Sequence, residues 1–281
     1  MPELPEVEVI CRGLQDHIIG KRITATYCSG KKLRLPLESA LMHEELVGQR
    51  ILNLNRRAKY LLLTVENGAS LIIHLGMTGN MGIFPKGSSL KKHDHVCWTL
   101  ENATELRFND TRRFGAVQLL TSSSAKTQLK TFFASTGPEP FSRSCSVAYL
   151  QKRAAKRKQA VKCFIMDSHI IAGIGNIYAN ESLFRSGIHP LRPASTLGES
   201  EWKRLLTIIR KTLKHAIECG GSTINDFVNA SGGGGYFQMN FQIYGKAGEQ
   251  CTQCQDTIQK TIIGGRASFF CPTCQEDNYS R

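Results

Sequence analysis

Long hydrophobic runs are missing from this chain. No apolar stretch approaches the ~20 residues that span a bilayer, and no basic-then-apolar leader precedes a cleavage site. A soluble, intracellular protein with no membrane partner is therefore expected. Acidic side chains are scarce beside basic ones: 23 Asp+Glu face 36 Lys+Arg, a formal charge of +13. That excess favours a polyanionic partner, of which nucleic acid is the commonest, over a basic protein that merely stays dispersed. Low-complexity sequence is absent apart from Gly232-Gly233-Gly234-Gly235, which reads as a lid or a plain connector. Metal-like spacing is absent from six of the ten cysteines (Cys11, Cys28, Cys97, Cys145, Cys163 and Cys219), which read as small residues in a reducing compartment. A length of 281 residues suits about two domains with a small appendage.

The other four cysteines are organised. Cys251-x2-Cys254 and Cys271-x2-Cys274 are separated by sixteen residues, the spacing of a four-thiolate zinc site. Disulfides are the alternative, and they fit poorly with a chain that carries no leader. Between the pairs, Thr257–Phe270 reads as a β-hairpin turning at Gly264-Gly265, with Arg266 beside the turn. So short a segment cannot bury enough surface to fold alone, so metal binding must supply its folding energy. Four thiolates leave no open coordination position, so one structural Zn2+ is expected.

The opening Met1-Pro2-Glu3-Leu4-Pro5-Glu6 admits a chemical reading. With Met1 removed, Pro2 presents a secondary amine. An α-amino group titrates near ~8, so a useful fraction is unprotonated at neutral pH. Such an amine can attack an anomeric carbon and form an iminium, with the adjacent Glu3 placed to move protons. Proline here also serves as a helix-initiating residue. Leu4, Val7, Ile10, Leu14 and Ile18 fall on one helical face from Glu3 to Ile18. Strand-like segments follow at Tyr60–Val65, Ala69–His74, Val96–Leu100, Glu105–Phe108 and Ala116–Leu120. The first two are joined by Asn67-Gly68, and Lys59 is expected to begin the first. Many short strands after one helix suggest a β-sandwich. Beyond Thr136-Gly137-Pro138 the pattern becomes helical, over Val147–Lys158, Ala160–Asp167, Ile177–Gly187 and Glu199–Glu218. Ala172-Gly173-Ile174-Gly175-Asn176 is a tight turn whose amides could meet a phosphate, or a purely structural one.

In order along the chain stand Pro2–Glu8, Arg56-Arg57-Ala58-Lys59-Tyr60-Leu61, His74-Leu75-Gly76-Met77-Thr78-Gly79 and Lys92-His93-Asp94-His95-Val96. Arg112-Arg113-Phe114-Gly115, Gly173–Tyr178, Tyr236-Phe237-Gln238, Tyr244-Gly245-Lys246 and the cysteine module follow. In these motifs the chain resembles the bacterial formamidopyrimidine-DNA glycosylases from end to end. The resemblance implies an α+β fold in three parts. Residues 1–135 form a β-sandwich carrying the amine-bearing helix, and 136–243 a helical DNA-binding domain with a helix–two-turns–helix element and a mobile loop. Residues 244–281 form the zinc hairpin.

The resemblance also implies a base-excision enzyme, a DNA glycosylase and abasic-site lyase acting on oxidised purines in duplex DNA. Pro2 would be the nucleophile, Glu3 the general acid that opens the sugar, Lys59 the proton donor in β-elimination and Arg266 that in δ-elimination. His74, His93, Arg112, Arg157 and Asn176 would contact DNA. Met77, Arg112 and Phe114 would fill the void left by a flipped base, tasks that an adaptable thioether, a guanidinium fork and an aromatic wedge suit. A monomer, cytoplasmic in a bacterium and nucleoid-associated when on DNA, is implied. Two departures stand out: Cys163 follows Lys162 where proline is common, and four glycines occupy the lid. Alternative readings are the related endonuclease for oxidised pyrimidines and a non-catalytic zinc-ribbon DNA-binding protein. Leu4 and the Met77/Arg112/Phe114 set point to the purine branch, and the ribbon reading leaves Pro2, Glu3 and Lys59 without a role.

Overall fold

The computed structural model describes residues 2–220 and 241–276. The tetraglycine and Tyr236-Phe237-Gln238 lie outside the described residues. The chain divides into two compact units, with a break between Ala134 and Ser135 and the four-cysteine segment in the second unit.

The first unit opens with helix α1 (Leu4–Ile18), which buries the expected stripe Leu4, Val7, Ile10, Leu14 and Ile18. Eight antiparallel strands follow: β1 (Ile23–Cys28), β2 (Ile51–Arg57), β3 (Tyr60–Val65), β4 (Ser70–His74), β5 (Gly79–Pro85), β6 (Asp94–Leu100), β7 (Thr104–Asp110) and β8 (Ala116–Leu120). They form two four-stranded sheets, β1-β6-β7-β5 and β2-β3-β4-β8. One apolar cluster joins them, with Leu61, Leu63 and Val65 of β3 packed in the same core as Val96, Trp98, Leu106 and Phe108 of the other sheet and Val7, Ile10 and Leu14 of α1. The strict alternation of burial along β3 is the period-two signature of a strand with one face inward.

Several elements were not legible. Helix α2 (Ser39–Leu46) and helix α3 (Ala125–Phe132) interrupt and follow the strands. Strand β5 contains Gly79, Gly82 and Pro85, which argue against a strand locally. It exists because seven residues pair with β7, from Gly79 opposite Asp110 to Pro85 opposite Thr104. Lys59 does not begin β3. Arg57 pairs with Tyr60, so Ala58 and Lys59 form a two-residue hairpin turn, with Ala58 held at φ 53°.

The second unit contains α4 (Val147–Ala154), α5 (Val161–Met166), α6 (Asn176–Arg185), α7 (Glu199–Glu218) and the hairpin β9 (Gln259–Ile263) and β10 (Arg266–Phe270). Helix α4 stops four residues before Lys158. The Arg157 amide donates to the Ala154 carbonyl at 2.8 Å and the Arg157 carbonyl accepts from Ser195 at 3.1 Å, turning Lys156, Arg157 and Lys158 into an exposed non-helical segment. Between α5 and α6 the chain makes two successive turns. The Asp167 carbonyl accepts from Ile170 and Ile171 at 2.9 and 3.0 Å, and Gly173 follows at φ +84°. Burial pushes the thiols of Cys11 and Cys145 up to about 11 and that of Cys97 to about 12, as suits inert core residues.

Candidate active site and nucleic-acid-binding groups

The α1 terminus is held firmly. Glu3 is its N-cap, and Glu3 and Glu6 form a reciprocal capping box in which the Glu6 carboxylate accepts the Glu3 amide at 2.8 Å. Pro2 therefore precedes a carboxylate that is only 2% exposed. From the next turn, Glu8 accepts hydrogen bonds from Arg56 and Arg12, each at 2.7 Å, and Arg56 also donates to the Ala58 carbonyl at 3.0 Å. Burial opposes ionisation of Glu8, but these two guanidinium hydrogen bonds outweigh it and hold its carboxyl below the usual range. Through this chain of bonds the helix that carries Pro2 is tethered to the turn that carries Lys59.

His74 ends β4 opposite Tyr60, and its ring lies 4.9 Å from the tyrosine ring. Its Nδ1 accepts the Gly76 amide at 3.0 Å, so the neutral ring carries its proton on Nε2. Burial, with the positive charges of Arg34 and Lys59, lowers its pKa to about 4. The unfolded chain binds this proton near 6.5 and the fold refuses it until about 4, so the contribution is complete above 6.5 and is lost as pH falls through 4. It amounts to roughly 3 kcal/mol. His95 is lowered too, mainly by burial, and acts in the same direction. We expect unfolding of the first unit, followed by urea titration, to weaken across this window. His74→Gln should remove part of that slope, and an unchanged slope would place the titration elsewhere.

Met77 and Phe114 are 41% and 48% exposed, and the Arg112 guanidinium lies 4.6 Å from the Phe114 ring centre. They stand on two touching loops. Gly76 is at φ +66°, and a Cβ there would meet the Gly115 nitrogen at 2.5 Å, so only glycine permits the approach. Arg34, His74, Gly76, Met77, Arg113 and Phe114 line a cavity of about 320 Å³ at this place. Sequence reasoning missed Arg34. Its signal was the basic run Lys31-Lys32-Leu33-Arg34. It also missed Asp110, fully buried, whose carboxylate joins the two loops. Half-buried His93 lies just before β6, and its carbonyl accepts the Asp110 amide at 3.0 Å.

In the second unit the four sulfurs of Cys251, Cys254, Cys271 and Cys274 lie within 4.8 Å of one another. A tetrahedron with Zn–S of about 2.3 Å has sulfur–sulfur edges of roughly 3.8 Å. The 3.8 Å from Cys251 to Cys274 and 3.3 Å from Cys254 to Cys271 therefore fit one zinc ion. Amides of Gln253 and Cys274 point at the Cys251 and Cys271 sulfurs, each at 3.4 Å, as thiolate ligands require.

The hairpin is locked to the helices. Buried Lys162 donates to the Ala267 carbonyl at 3.0 Å and to the Ser268 hydroxyl at 2.5 Å. Asn176 Nδ2 donates to the same Ala267 carbonyl at 3.0 Å, and Asn180 Oδ1 accepts the Phe269 amide at 2.8 Å. Exposed Arg266 thus precedes a residue clamped from two sides. The Glu181 carboxylate gathers the amides of Gln242, Ile243 and Tyr244 at 2.9 to 3.1 Å, fixing the approach to the cysteine module. Cys163 sits under the hairpin turn, where a Cβ on Gly264 would come within 2.6 Å of its sulfur.

A sandwich with an amino-terminal helix, two turns between paired helices and a four-thiolate hairpin place the chain in the helix–two-turns–helix class of zinc-finger proteins. Family models agree in each part: the formamidopyrimidine-DNA glycosylase N-terminal domain over residues 1–117, its H2TH domain over 136–228, and the zinc finger found in FPG and IleRS over 248–276. The chain is 45% identical over 275 residues to the formamidopyrimidine-DNA glycosylase of Vibrio atlanticus, covering 98% of this chain and 100% of that one. Its fold matches a mutant of the Lactococcus lactis FPG in complex with Fapy-dG containing DNA at TM-score 0.88 and 31% identity. It matches the wild-type Lactococcus lactis Fpg on oxidised-pyrimidine DNA at 0.87 and 32%, each over 98% of this chain and 100% of the other. The chain belongs to the formamidopyrimidine-DNA glycosylase family. No helix among the described residues is long and apolar enough to cross a membrane.

Proposed function

We propose that this chain is a base-excision repair enzyme, a DNA glycosylase and abasic-site lyase that removes oxidised purines from duplex DNA as a cytoplasmic monomer. The observation that carries the reading is the α1 terminus, where Pro2 directly precedes a buried, capped glutamate on a helix tethered to the Lys59 turn. In this reading Pro2 nitrogen attacks C1′ of the damaged nucleotide, the base departs, and an iminium joins protein and DNA. Glu3 supplies the proton that opens the sugar. Lys59 and Arg266 handle the protons of β- and δ-elimination. Met77, Arg112 and Phe114 occupy the space the flipped nucleotide vacates, while His74, His93, Arg157 and Asn176 hold the DNA. The formal charge of +13 supports a polyanionic partner. Residues 1–135 carry the amine chemistry, 136–243 the DNA grip and 244–281 the zinc hairpin.

The Lactococcus lactis relative has been captured on both Fapy-dG and an oxidised pyrimidine, so purine preference is tested by comparison. Duplexes carrying 8-oxoguanine or an oxidised pyrimidine are incubated with the pure protein, with and without borohydride. Strand cleavage and a borohydride-fixed protein–DNA adduct, greater on 8-oxoguanine, are expected. Binding without adduct or cleavage would instead mark a non-catalytic DNA-binding protein.

A further inference from the structure

We infer that Asp110 is a positioning residue that binds the Met77 loop and the Arg112–Phe114 loop into one preset probe for the base opposite the lesion. The inference rests on the glycosylase reading and names a residue that reading leaves without a role. Asp110 closes β7 and is fully buried. One carboxylate oxygen accepts the Thr78 hydroxyl at 2.5 Å and the Arg112 amide at 3.2 Å. The other accepts the Gly115 amide at 2.7 Å. The Thr78 hydroxyl in turn accepts the Arg112 amide at 3.1 Å. Three groups on two loops thus converge on one carboxylate, which as an acceptor with two oxygens can serve them all.

The main chain of Asp110 is equally committed. Its amide donates to His93 and its carbonyl accepts from His95 Nε2 at 2.9 Å, and the opposite ring nitrogen of His95 meets the Ser29 hydroxyl at 3.0 Å. Between the two bracketed amides lies Arg113 at φ 59°, a conformation a non-glycine residue holds only when its surroundings enforce it. The bracket therefore sets the backbone on which Arg112 and Phe114 stand. The adjacent Thr78 bond fixes Met77 to the same frame. A guanidinium held at a fixed depth can discriminate among Watson–Crick edges: cytosine offers two adjacent acceptors, O2 and N3, where adenine offers the single acceptor N1 beside a C–H. One that drifts cannot. Opposite-base discrimination from a good two-pronged contact is about fivefold to more than a hundredfold, and it depends on this frame.

An asparagine in this place cannot serve every donor, because one carboxylate oxygen becomes an amide NH2, so the Asp110→Asn variant deprives the Arg112 or the Gly115 amide of its carboxylate acceptor and loosens the bracket. Excision of 8-oxoguanine opposite cytosine and opposite adenine is measured in single turnovers, together with cleavage of a preformed abasic duplex. Exchange of the Arg112 and Gly115 amide protons is followed in the free protein. We expect Asp110→Asn to lower excision opposite cytosine at least about tenfold and to narrow the cytosine-to-adenine ratio toward that of Arg112→Ala. The loss on abasic duplex should be several-fold smaller, and both amides should exchange faster. Thr78→Val should move the ratio the same way, and Thr78→Ser should restore it. This pair keeps the test open if Asp110→Asn folds poorly. A ratio untouched in both Asp110→Asn and Thr78→Val, or equal losses on both substrates, would overturn the inference. If wild-type protein neither excises nor traps, the glycosylase reading fails, while slow exchange of the two amides still decides whether the bracket exists.

Discussion

Protein in which Met1 is retained is expected to form no borohydride-trapped adduct, and its excision of 8-oxoguanine should fall roughly a thousandfold or more, the scale on which loss of a nucleophile acts. With Met1 attached, the Pro2 nitrogen is a tertiary amide whose lone pair is delocalised into the carbonyl, so it cannot attack. Pro2→Gly keeps an amine but gives it different geometry and freedom, and should lose most of both activities. The capping box between Glu3 and Glu6 involves neither change, so helix α1 should keep its start and the first unit its stability. Mass spectrometry of the amino terminus, paired with trapping on an abasic duplex, gives the measurement. Full activity in protein shown to keep Met1 would remove Pro2 from the reaction.

The second large effect concerns the thiolates. Cys254→Ser or Cys271→Ser should release the zinc, unfold β9 and β10, and weaken binding to damaged duplex by at least about tenfold. Structural zinc supplies on the order of 10–16 kcal/mol to folding in small modules. The apolar cluster around β9 and β10 is small: Ile258, Phe269, Ile243, Phe184 and two of the cysteines themselves. Without metal, Lys162, a buried cation in the fold, loses the Ala267 carbonyl and Ser268 hydroxyl it donates to, and Arg266 loses its clamped neighbour. The core of the first unit contains no residue of this segment, so its unfolding transition should persist. Metal analysis, thermal melting and duplex binding report the three consequences. A metal-free variant that binds duplex as tightly as the parent would take the hairpin out of the DNA grip.

Elements with local signatures could be read in advance. The Leu4–Ile18 stripe, the Asn67-Gly68 and Gly264-Gly265 turns and the Cys-x2-Cys pairs each place their chemistry within a few residues, and periodicity or spacing reveals them. Strands β1, β2 and β5 could not be read the same way. Their residues are polar, glycine-bearing or mostly exposed, and only pairing with a neighbour makes them strands. Lys59 falls in the turn because Arg57 pairs with Tyr60, a register no local pattern specifies.

The amino-acid sequence by itself determined the charge, the zinc site, the proline next to a glutamate and the succession of a strand-rich part, a helical part and a hairpin. The tertiary structure alone decided how these groups are held. Thr78 reaches Asp110 across 32 positions, Arg56 reaches Glu8 across 48 and Lys162 reaches Ala267 across 105. A hydrogen bond between such distant residues leaves no periodicity in the chain. It forms because burial removes water from both partners, and an unmet buried polar group costs about 1–3 kcal/mol.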